Sequence, residues 1–271
     1  MQRPVFANDR IVIRRSRFKN SLYAEHSKTP EGDYWSANAP DPSFQEALLR
    51  RRQLQASALL DRFEPHLREH QAVLDYGCGY GAFTAEANRR GIETYGADLS
   101  RSRLTSDAHF VQLANPWELP QIIEGVRTVV LLDVLEHHND PVGFLSAIRQ
   151  HAAVRLVVKV PLLEGPLMAA ARLMAKMGKS AVLEQLFLVG DVAPHLHYFS
   201  REGLIQCAEE AGWRVLDETS LVEVGPEIAD RVRSGGALKA LGPILAAGGA
   251  GAALTAQLGW SDTRGFLFEA A

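Results

Sequence analysis

The chain of 271 residues predicts an α/β fold, a doubly wound, Rossmann-like and mostly parallel sheet of seven strands with helices on both faces. Short apolar segments alternate with helix-length segments from residue 72 to residue 160. A glycine-rich loop, Gly77-Cys78-Gly79-Tyr80-Gly81, joins the first strand of this run to its first helix, and the second strand ends in Asp98. This alternation is typical of parallel sheets whose strands are covered on both faces.

The elements follow in order along the chain. Strands are predicted at 72–76, 92–98, 108–112, 127–133 and 153–160, and helices at 82–90, about 119–124, and 140–151. A proline-free helix over 43–63 precedes them. A helix at 200–211 and strands at 213–219 and 264–269 complete the predicted sheet. Residues 1–42 are predicted to be irregular because prolines and glycine interrupt their second half.

Composition and charge exclude several classes of protein. The formal net charge is −3 and the sequence pI is about 6.3, so no global field favours nucleic acid as a partner. Two cysteines are too few for a disulfide framework, and the first 20 residues lack the apolar core of a signal peptide. We therefore expect a cytoplasmic protein.

The glycine loop predicts a cofactor that contains adenosine. Glycine lets the backbone approach a ligand closely, and an acid about 20 residues further on is placed to bind ribose hydroxyls. The spacing here is G-x-G-x-G, whereas dinucleotide sites use G-x-G-x-x-G. Asp75, two residues before the first glycine, would repel a pyrophosphate but attract a cation. S-adenosylmethionine (SAM) has a sulfonium and an ammonium, and no phosphate.

Three segments, VLDYGCGYG, GADLS and LLDVLEHHNDP, resemble the motifs of class I SAM-dependent methyltransferases, and most of all the group of ubiquinone-type and small-molecule enzymes. The resemblance covers roughly residues 71–215 and a C-terminal strand, and implies SAM as cofactor and S-adenosylhomocysteine as product. The cofactor-binding residues that it implies are Asp75, Gly77, Cys78, Gly79 and Gly81 for the methionine portion, Asp98 for the ribose, Leu99 beside the adenine, and Asp133 and Val134 after the fourth strand. The end of the third strand departs from the family pattern, in which an Asp binds the adenine amino group. Here we expect Gln112 or Asn115 in its place, with Leu113 beside the cofactor.

The segment from Asp133 to Pro141 is similar to the "D-x-L-E-H-x-x-D-P" pattern of these enzymes. The resemblance places His137 near the methyl acceptor, and we expect His137 and Glu136 to be catalytic, because neutral imidazole is a suitable base for a hydroxyl near pH 7. The alternative is that both side chains make structural hydrogen bonds that fix this loop. His138 has no counterpart in the pattern and is expected at the surface.

A second histidine segment, HLHYFS at 195–200, resembles one that many of these enzymes carry after the fifth strand. We expect His197 and Tyr198 to line the substrate site, His195 to make a local structural hydrogen bond, and Ser200 to cap the next helix. Tyr34 is a further candidate lining residue, or an anchor of the N-terminal arm. No metal site is predicted, since no metal-binding spacing is present.

Two domains are expected. Residues 1–65 form an arm and helix that cap the cofactor site, and residues 66–271 form the SAM-binding domain, with a helical insertion at about 162–190 and an apolar tail at about 236–260. The insertion is amphipathic, basic and rich in methionine, which suits a lid, a packing helix or peripheral contact with a membrane. The tail is dominated by glycine and alanine, which favours a buried or substrate-facing helix over a transmembrane one.

The acceptor is expected to be a small molecule, apolar, amphipathic or sugar-like, that is methylated on O, N or C. A methyltransferase of tRNA or protein is the alternative, supported by the six basic residues among the first 20. A third hypothesis, a SAM-binding protein without activity, would predict eroded glycines or a lost ribose acid, and both features are intact.

Overall fold

The computed structural model describes residues 3–29, 42–69, 72–100, 109–115, 126–151, 153–221 and 261–271. The helix predicted at 119–124, the apolar tail at 236–260 and Tyr34 lie outside these ranges. The chain divides into two compact units. The first comprises Met1–Arg51, Pro161–Leu204 and Ser220–Arg264, and the second Arg52–Val160, Ile205–Thr219 and Gly265–Ala271.

In chain order the strands are β1 (Phe6–Ala7), β2 (Ile11–Arg15), β3 (Leu22–His26), β4 (Ala72–Tyr76), β5 (Thr94–Asp98), β6 (Phe110–Gln112), β7 (Val126–Leu132), β8 (Arg155–Pro161), β9 (His197–Tyr198), β10 (Trp213–Leu221) and β11 (Thr263–Ala270). The α-helices of the described residues are α1 (Pro42–Leu67), α2 (Ala82–Arg89), α3 (Pro141–Gln150), α4 (Pro166–Lys176), α5 (Ala181–Leu186) and α6 (Arg201–Glu210). A 3-10 turn covers Leu135–His137.

The second unit is built on a seven-stranded sheet in the order β10-β11-β8-β7-β4-β5-β6. Its pairings β4–β5, β4–β7, β5–β6 and β7–β8 are parallel. Every residue of β4 is buried, as are five consecutive residues of β8, which is the pattern of strands covered on both faces. The predicted fold class is confirmed, and the described strands and helices of the sheet lie within a few residues of their predicted bounds.

Helix contacts in the second unit follow from local sequence. Leu59, Leu60 and Phe63 of α1 are fully buried. Asp140 caps α3, because its Oδ1 accepts from the Gly143 N–H at 3.0 Å and a proline occupies the first helical position. The buried Trp213 indole donates to the Leu145 carbonyl at 3.0 Å, which ties the start of β10 to α3.

The first unit contains a second sheet, in the order β1-β2-β3-β9, with antiparallel pairings. The prediction that residues 1–42 are irregular was therefore wrong for their first part. Ile11 and Ile13 of β2 are buried, while Val12 and Arg14, which alternate with them, are only partly buried. This is the two-residue period of a strand with one covered face. The prolines that suggested irregularity begin at Pro30, beyond this hairpin, except for Pro4.

The predicted insertion forms two helices, α4 and α5, which share a hydrophobic cluster with this sheet. The buried members of the cluster are Ile11, Ile13, Leu22, Ala24, Met168, Ala171, Val182, Leu183, Phe187 and Tyr198. The opposite side of α4 exposes Leu173 and, just beyond its end, Met177, each with 61% of its surface accessible. Within the described part of the chain, no helix is long and apolar enough to cross a membrane.

Ser200 joins the N-terminal hairpin to α6. Its Oγ accepts from the Gly203 N–H at 2.8 Å, which confirms the predicted helix cap, and donates to the Lys19 carbonyl at 2.6 Å. Its N–H donates to Ser21 Oγ at 2.9 Å. Gly203 lies against the same hairpin, and a Cβ at this position would lie 2.6 Å from the Lys19 carbonyl oxygen.

We expect Gly203→Ala to lower the free energy of unfolding by about 1–3 kcal/mol, because the added methyl group would push the hairpin away from α6. Chemical denaturation of the full chain measures the change. Glu209→Ala, on the exposed side of the same helix, is the control and should leave stability close to that of the wild type. Equal stability of both variants would show that the hairpin is not held against Gly203.

Candidate functional site

The carboxyl ends of β4, β7 and β8 meet beside α1 in the second unit, which is where ligands bind in open parallel sheets. A cavity lies at this point. It is lined by Arg52, Gln55, Asp75, Gly77, Cys78, Ala82, Phe83, Leu132, Asp133 and Lys159. Four of the predicted cofactor-binding residues, Asp75, Gly77, Cys78 and Asp133, are therefore brought together here, although up to 58 positions separate them in the sequence.

The glycine loop has a backbone that requires glycine. Gly77, Gly79 and Gly81 have φ angles of 72°, 55° and 71°, in the left-handed region that other residues rarely adopt. A Cβ on Gly77 would lie 2.7 Å from Val134 Cγ2. The N–H groups of Gly77 and Cys78 both donate to the Ala97 carbonyl, at 2.7 and 3.1 Å. The loop is thus fixed to the end of β5 and is in close contact with the segment that follows β7.

Asp75 is an acid buried beneath this loop, with 1% of its surface exposed. Thr84 Oγ1 donates to its Oδ2 at 2.7 Å. Burial raises the pKa of Asp75 to about 7, and the hydrogen bond from Thr84 opposes part of that rise. A cation bound in the cavity would favour the ionised carboxylate, so this acid is suited to a positively charged ligand.

Asp98, the predicted ribose acid, holds the loop. Its Oδ2 accepts from the Gly79 N–H and its Oδ1 from the Leu99 N–H, both at 2.7 Å. The carboxylate belongs to the last residue of a parallel strand, which is where this type of acid binds ribose in βαβ units.

The residues predicted around the adenine lie together at the ends of β5 and β6. Asp98 and Gln112 are register partners. The Leu113 N–H donates to the Asp98 carbonyl at 2.9 Å, and the exposed Gln112 amide donates weakly to the Leu99 carbonyl at 3.4 Å. Leu113 itself is buried, while Leu99 is partly exposed. Their roles toward adenine stay a prediction.

Cys78 occupies the loop as a buried thiol. Burial, and secondarily the charge of Asp75, raises the pKa of Cys78 far above its ordinary value, so the thiol keeps its proton. Gly96 on β5 leaves room for this side chain, since a Cβ there would lie 2.9 Å from Cys78 Sγ. The cysteine therefore packs the loop onto the sheet.

Asp133 is held in an unusual conformation at the end of β7. Its φ angle is 58°, and its N–H donates to the Lys159 carbonyl at 2.9 Å. The Lys159 ammonium donates to Asp133 Oδ2 at 2.6 Å, and Arg52 Nη2 lies 4.0 Å from the same oxygen. Sequence analysis missed Lys159 and Arg52, and the available signal for Lys159 was a single cation within the apolar strand RLVVKVP.

The 3-10 turn after Asp133 carries the two predicted catalytic side chains. Glu136 is 1% exposed, and burial, followed by the charge of Asp133, raises its pKa well above the ordinary value. His137 is partly buried, and its N–H donates to the Val134 carbonyl at 3.1 Å. The turn therefore places a carboxyl that favours its protonated form beside an imidazole.

His138 is partly exposed, and its ring also stabilises the start of the next helix. Its ring stacks on Phe144 with centroids 4.7 Å apart, and its Nδ1 accepts from the Asp140 N–H at 2.9 Å. Burial lowers the pKa of His138, which favours the neutral ring that this acceptor role requires. His138 thus stabilises the start of α3.

The predicted lining residues of the first unit are buried. Tyr198 belongs to the hydrophobic cluster around α4 and α5, and His197 is 5% exposed. The His197 ring stacks on Phe199 with centroids 5.3 Å apart. His195 Nδ1 pairs with the Leu186 carbonyl at 2.7 Å, which confirms its predicted local hydrogen bond. The substrate-lining roles of His197 and Tyr198 stay predictions.

The family model described as "Methyltransferase domain" matches residues 48–218, which is well over half of the chain. This range contains the glycine loop, Asp98 and the turn with Glu136 and His137. Among curated proteins, no sequence matches the chain.

Several solved structures with a similar fold are described as methyltransferases. A SAM-dependent methyltransferase from Archaeoglobus fulgidus is 18% identical, with a TM-score of 0.54 over 84% of this chain and all of its own. A protein from Thermotoga maritima, described as a possible histamine N-methyltransferase, is 15% identical with a TM-score of 0.51 over 84% of this chain and 95% of its own. The mitomycin 7-O-methyltransferase MmcR is 16% identical with a TM-score of 0.50 over 88% of this chain and 61% of its own. At these identities the likeness shows the fold.

The residues of the site fit SAM. The cavity has a buried acid, Asp75, for a cationic ligand, and a loop whose Cβ-free Gly77 permits close approach of backbone and ligand. Asp98 lies at the position typical of a ribose acid.

We expect SAM affinity to rise as the pH increases from about 6 to about 8, because ionised Asp75 attracts the cation and its pKa is about 7. In the absence of ligand, the contribution of Asp75 to the stability of the folded chain changes with pH in the opposite direction. The raised pKa keeps Asp75 protonated when folded, so its contribution to stability is lost as pH rises from about 4 to about 7. Isothermal titration at several pH values, with Asp75→Asn beside the wild type, measures the first effect.

Asp75→Asn should bind SAM more weakly at pH 8 and lose most of the pH dependence. Glu93→Gln, at an exposed acid before β5, is the control and should retain the wild-type pH profile. A pH dependence that is the same in Asp75→Asn and in the wild type would contradict the role of this acid.

Three findings indicate the same cofactor. They are the match to the family model, the parallel sheet with its glycine loop, and the fit of the acids to a sulfonium. The fold is similar to that of proteins from two organisms that are described as methyltransferases. The chain belongs to the methyltransferase-domain family, as a class I SAM-dependent methyltransferase with S-adenosylmethionine as its cofactor.

Proposed function

We propose that the protein transfers the methyl group of SAM to an O, N or C atom of a small molecule. The observation that carries this proposal is the turn Leu135–His137, which follows the cavity-lining Asp133 directly and presents Glu136 and His137 side by side. Methylation of a hydroxyl or ammonium requires a base that removes a proton from the acceptor, and we propose His137 for that role. The roles of Glu136 and His137 in catalysis are part of the proposal.

SAM, when bound, would supply a methyl group to a nucleophile of the acceptor, with the new bond to the methyl carbon forming as the carbon–sulfur bond breaks and S-adenosylhomocysteine leaves. The residues of the chain then have to align and shield the reactants. Asp75 balances the positive charge of the cofactor, the glycine loop admits its methionine portion, and Asp98 holds its ribose. Correct alignment can account for about 7–11 kcal/mol of a barrier of this type.

His137 would accept the proton that the acceptor loses. Glu136, whose pKa is raised by burial, would hold a proton and donate a hydrogen bond at the same position. For a carbon acceptor that is already nucleophilic, the pair would orient the substrate, and His137 would accept the proton that the carbon loses after the methyl group has been transferred.

Two further observations support the proposal, the first on the N-terminal helix and the second on the size of the acceptor. Arg52 and Gln55 of α1 line the cavity beside Asp75, in agreement with the proposal that the N-terminal helix covers the cofactor. Fold neighbours of the chain include proteins described as acting on mitomycin and on histamine, both small molecules. We propose that His197, Tyr198 and Tyr34 contribute to the acceptor site.

We expect His137→Ala to lower turnover by about 100-fold or more, as is typical when a general base is removed, while SAM binds with unchanged affinity. Glu136→Gln should also lower turnover. The measurement is release of S-adenosylhomocysteine during incubation with a panel of phenols, amines, sugars and amphipathic quinols, with mass spectrometry of the product. His151→Ala, at the exposed end of α3, is the control and should retain activity.

The same assay includes bulk tRNA and unfolded protein as acceptors. Methylated product in the small-molecule panel, lost in His137→Ala, supports the proposal. Methylation of tRNA or protein alone would overturn it, and full activity of His137→Ala would leave this histidine with a structural role.

We also propose that α4 contacts an anionic membrane surface. Leu173 and Met177 are exposed on one side of this helix and its end, beside the exposed Arg172, Lys176 and Lys179. Apolar side chains next to several cations are complementary to anionic lipid, because the cations meet the headgroups while the apolar groups enter the interface.

We expect Leu173→Ser/Met177→Ser to reduce binding to phosphatidylglycerol vesicles several-fold in a sedimentation assay, and Lys176→Glu to reduce it as well. Leu216→Ser, at an exposed leucine on β10, is the control. Vesicles of phosphatidylcholine should bind weakly. Equal binding of all variants, or no binding by the wild type, would contradict the proposed contact.

A further inference from the structure

Lys159 is a buried cation in the middle of the central sheet. It lies on β8 between Val158 and Val160, has 3% of its surface exposed, and lines the cofactor cavity. Burying an ammonium costs several kcal/mol unless it is paired, and a buried ion pair often contributes no more to stability than well-packed apolar residues. Stability alone therefore does not explain a lysine at this position.

Lys159 holds Asp133 at two points. Its ammonium donates to Asp133 Oδ2 at 2.6 Å, and its carbonyl accepts from the Asp133 N–H at 2.9 Å. Asp133 has a φ angle of 58°, a conformation that is unfavourable for a residue other than glycine and persists only where its surroundings impose it. The two contacts with Lys159 impose this conformation on the first residue after β7.

The conformation of Asp133 decides where the next residue lies. Val134 follows it, and its Cγ2 is so close to Gly77 that a Cβ there would be 2.7 Å away. Asp133 also faces Arg52 of α1, at 4.0 Å, and raises the pKa of Glu136 in the turn that follows. Contacts thus lead from Lys159 through Asp133 and Val134 to the glycine loop.

We propose that Lys159 is a positioning residue for cofactor binding, which acts through Asp133 to hold the end of β7 against the glycine loop. Its ammonium is neutralised by Asp133, so the cavity admits a cationic ligand beside a buried lysine. The inference concerns SAM alone and is independent of which acceptor the protein methylates.

The first experiment compares SAM affinity by isothermal titration in Lys159→Met and Lys159→Arg. Met has a similar length without the charge, and we expect it to weaken SAM binding about tenfold, within the range of coupling between contacting residues. Arg keeps a donor for Asp133 and should restore most of the affinity. Wild-type affinity in Lys159→Met, or an equal loss in both variants, would overturn the proposal.

The second experiment separates action through Asp133 from direct contact with SAM. Asp133→Asn removes the charge, and asparagine tolerates a positive φ. We expect Lys159→Met to weaken SAM binding less than twofold in the Asp133→Asn background, since the route of action is already interrupted. A further loss of about tenfold in the double variant would show a direct role of the lysine and overturn the proposal.

Folding is followed by thermal denaturation of every variant. Should Lys159→Met fail to fold because it leaves a carboxylate at the rim of the core, the double variant, which removes both charges, is compared with Asp133→Asn alone. Equal SAM affinity of these two supports the proposal, and weaker binding by the double variant contradicts it.

Discussion

The site depends on one steric constraint: the backbone at Gly77 lies so close to the segment that follows β7 that a side chain at this position would collide with it. Gly77 is pressed against Val134 after β7, and Gly96 of β5 makes room for Cys78 of the loop. Hydrogen bonds from Gly77 and Cys78 to Ala97, and from Gly79 to Asp98, keep the loop in this place. The cavity, the burial of Asp75 and the start of α2 all follow from this close packing.

Burial then decides the charges around the cavity. Asp75 and Glu136 are almost completely buried, and each has a raised pKa, whereas Asp133 is partly exposed and is paired with Lys159. One acid at the cavity is thus ready to ionise when a cation binds, and another holds its proton in the turn beside His137. These carboxyl groups have different functions because they differ in exposure to water and in the charges beside them.

Much of the fold and the donor site could be predicted, because the signals are local. The loop Gly77–Gly81, the acids Asp75 and Asp98, and the alternation of apolar strands with helices are each contained in a short stretch. The N-terminal hairpin was missed because its two-residue period is short and prolines follow it. The contact of His138 with Phe144 could not be predicted, because it depends on how α3 begins, which the motif does not describe.

The sequence by itself determined the sheet, the glycine loop and the methyl donor, since backbone conformation and motif spacing are properties of neighbouring residues. Only the tertiary structure decided that Lys159 pairs with Asp133, 26 positions away, that Thr84 donates to Asp75, and that Glu136 is buried. These features arise where separate strands and helices exclude water together. The pairing of charged side chains and the protonation of buried acids depend on this exclusion of water, which a short stretch of sequence cannot predict.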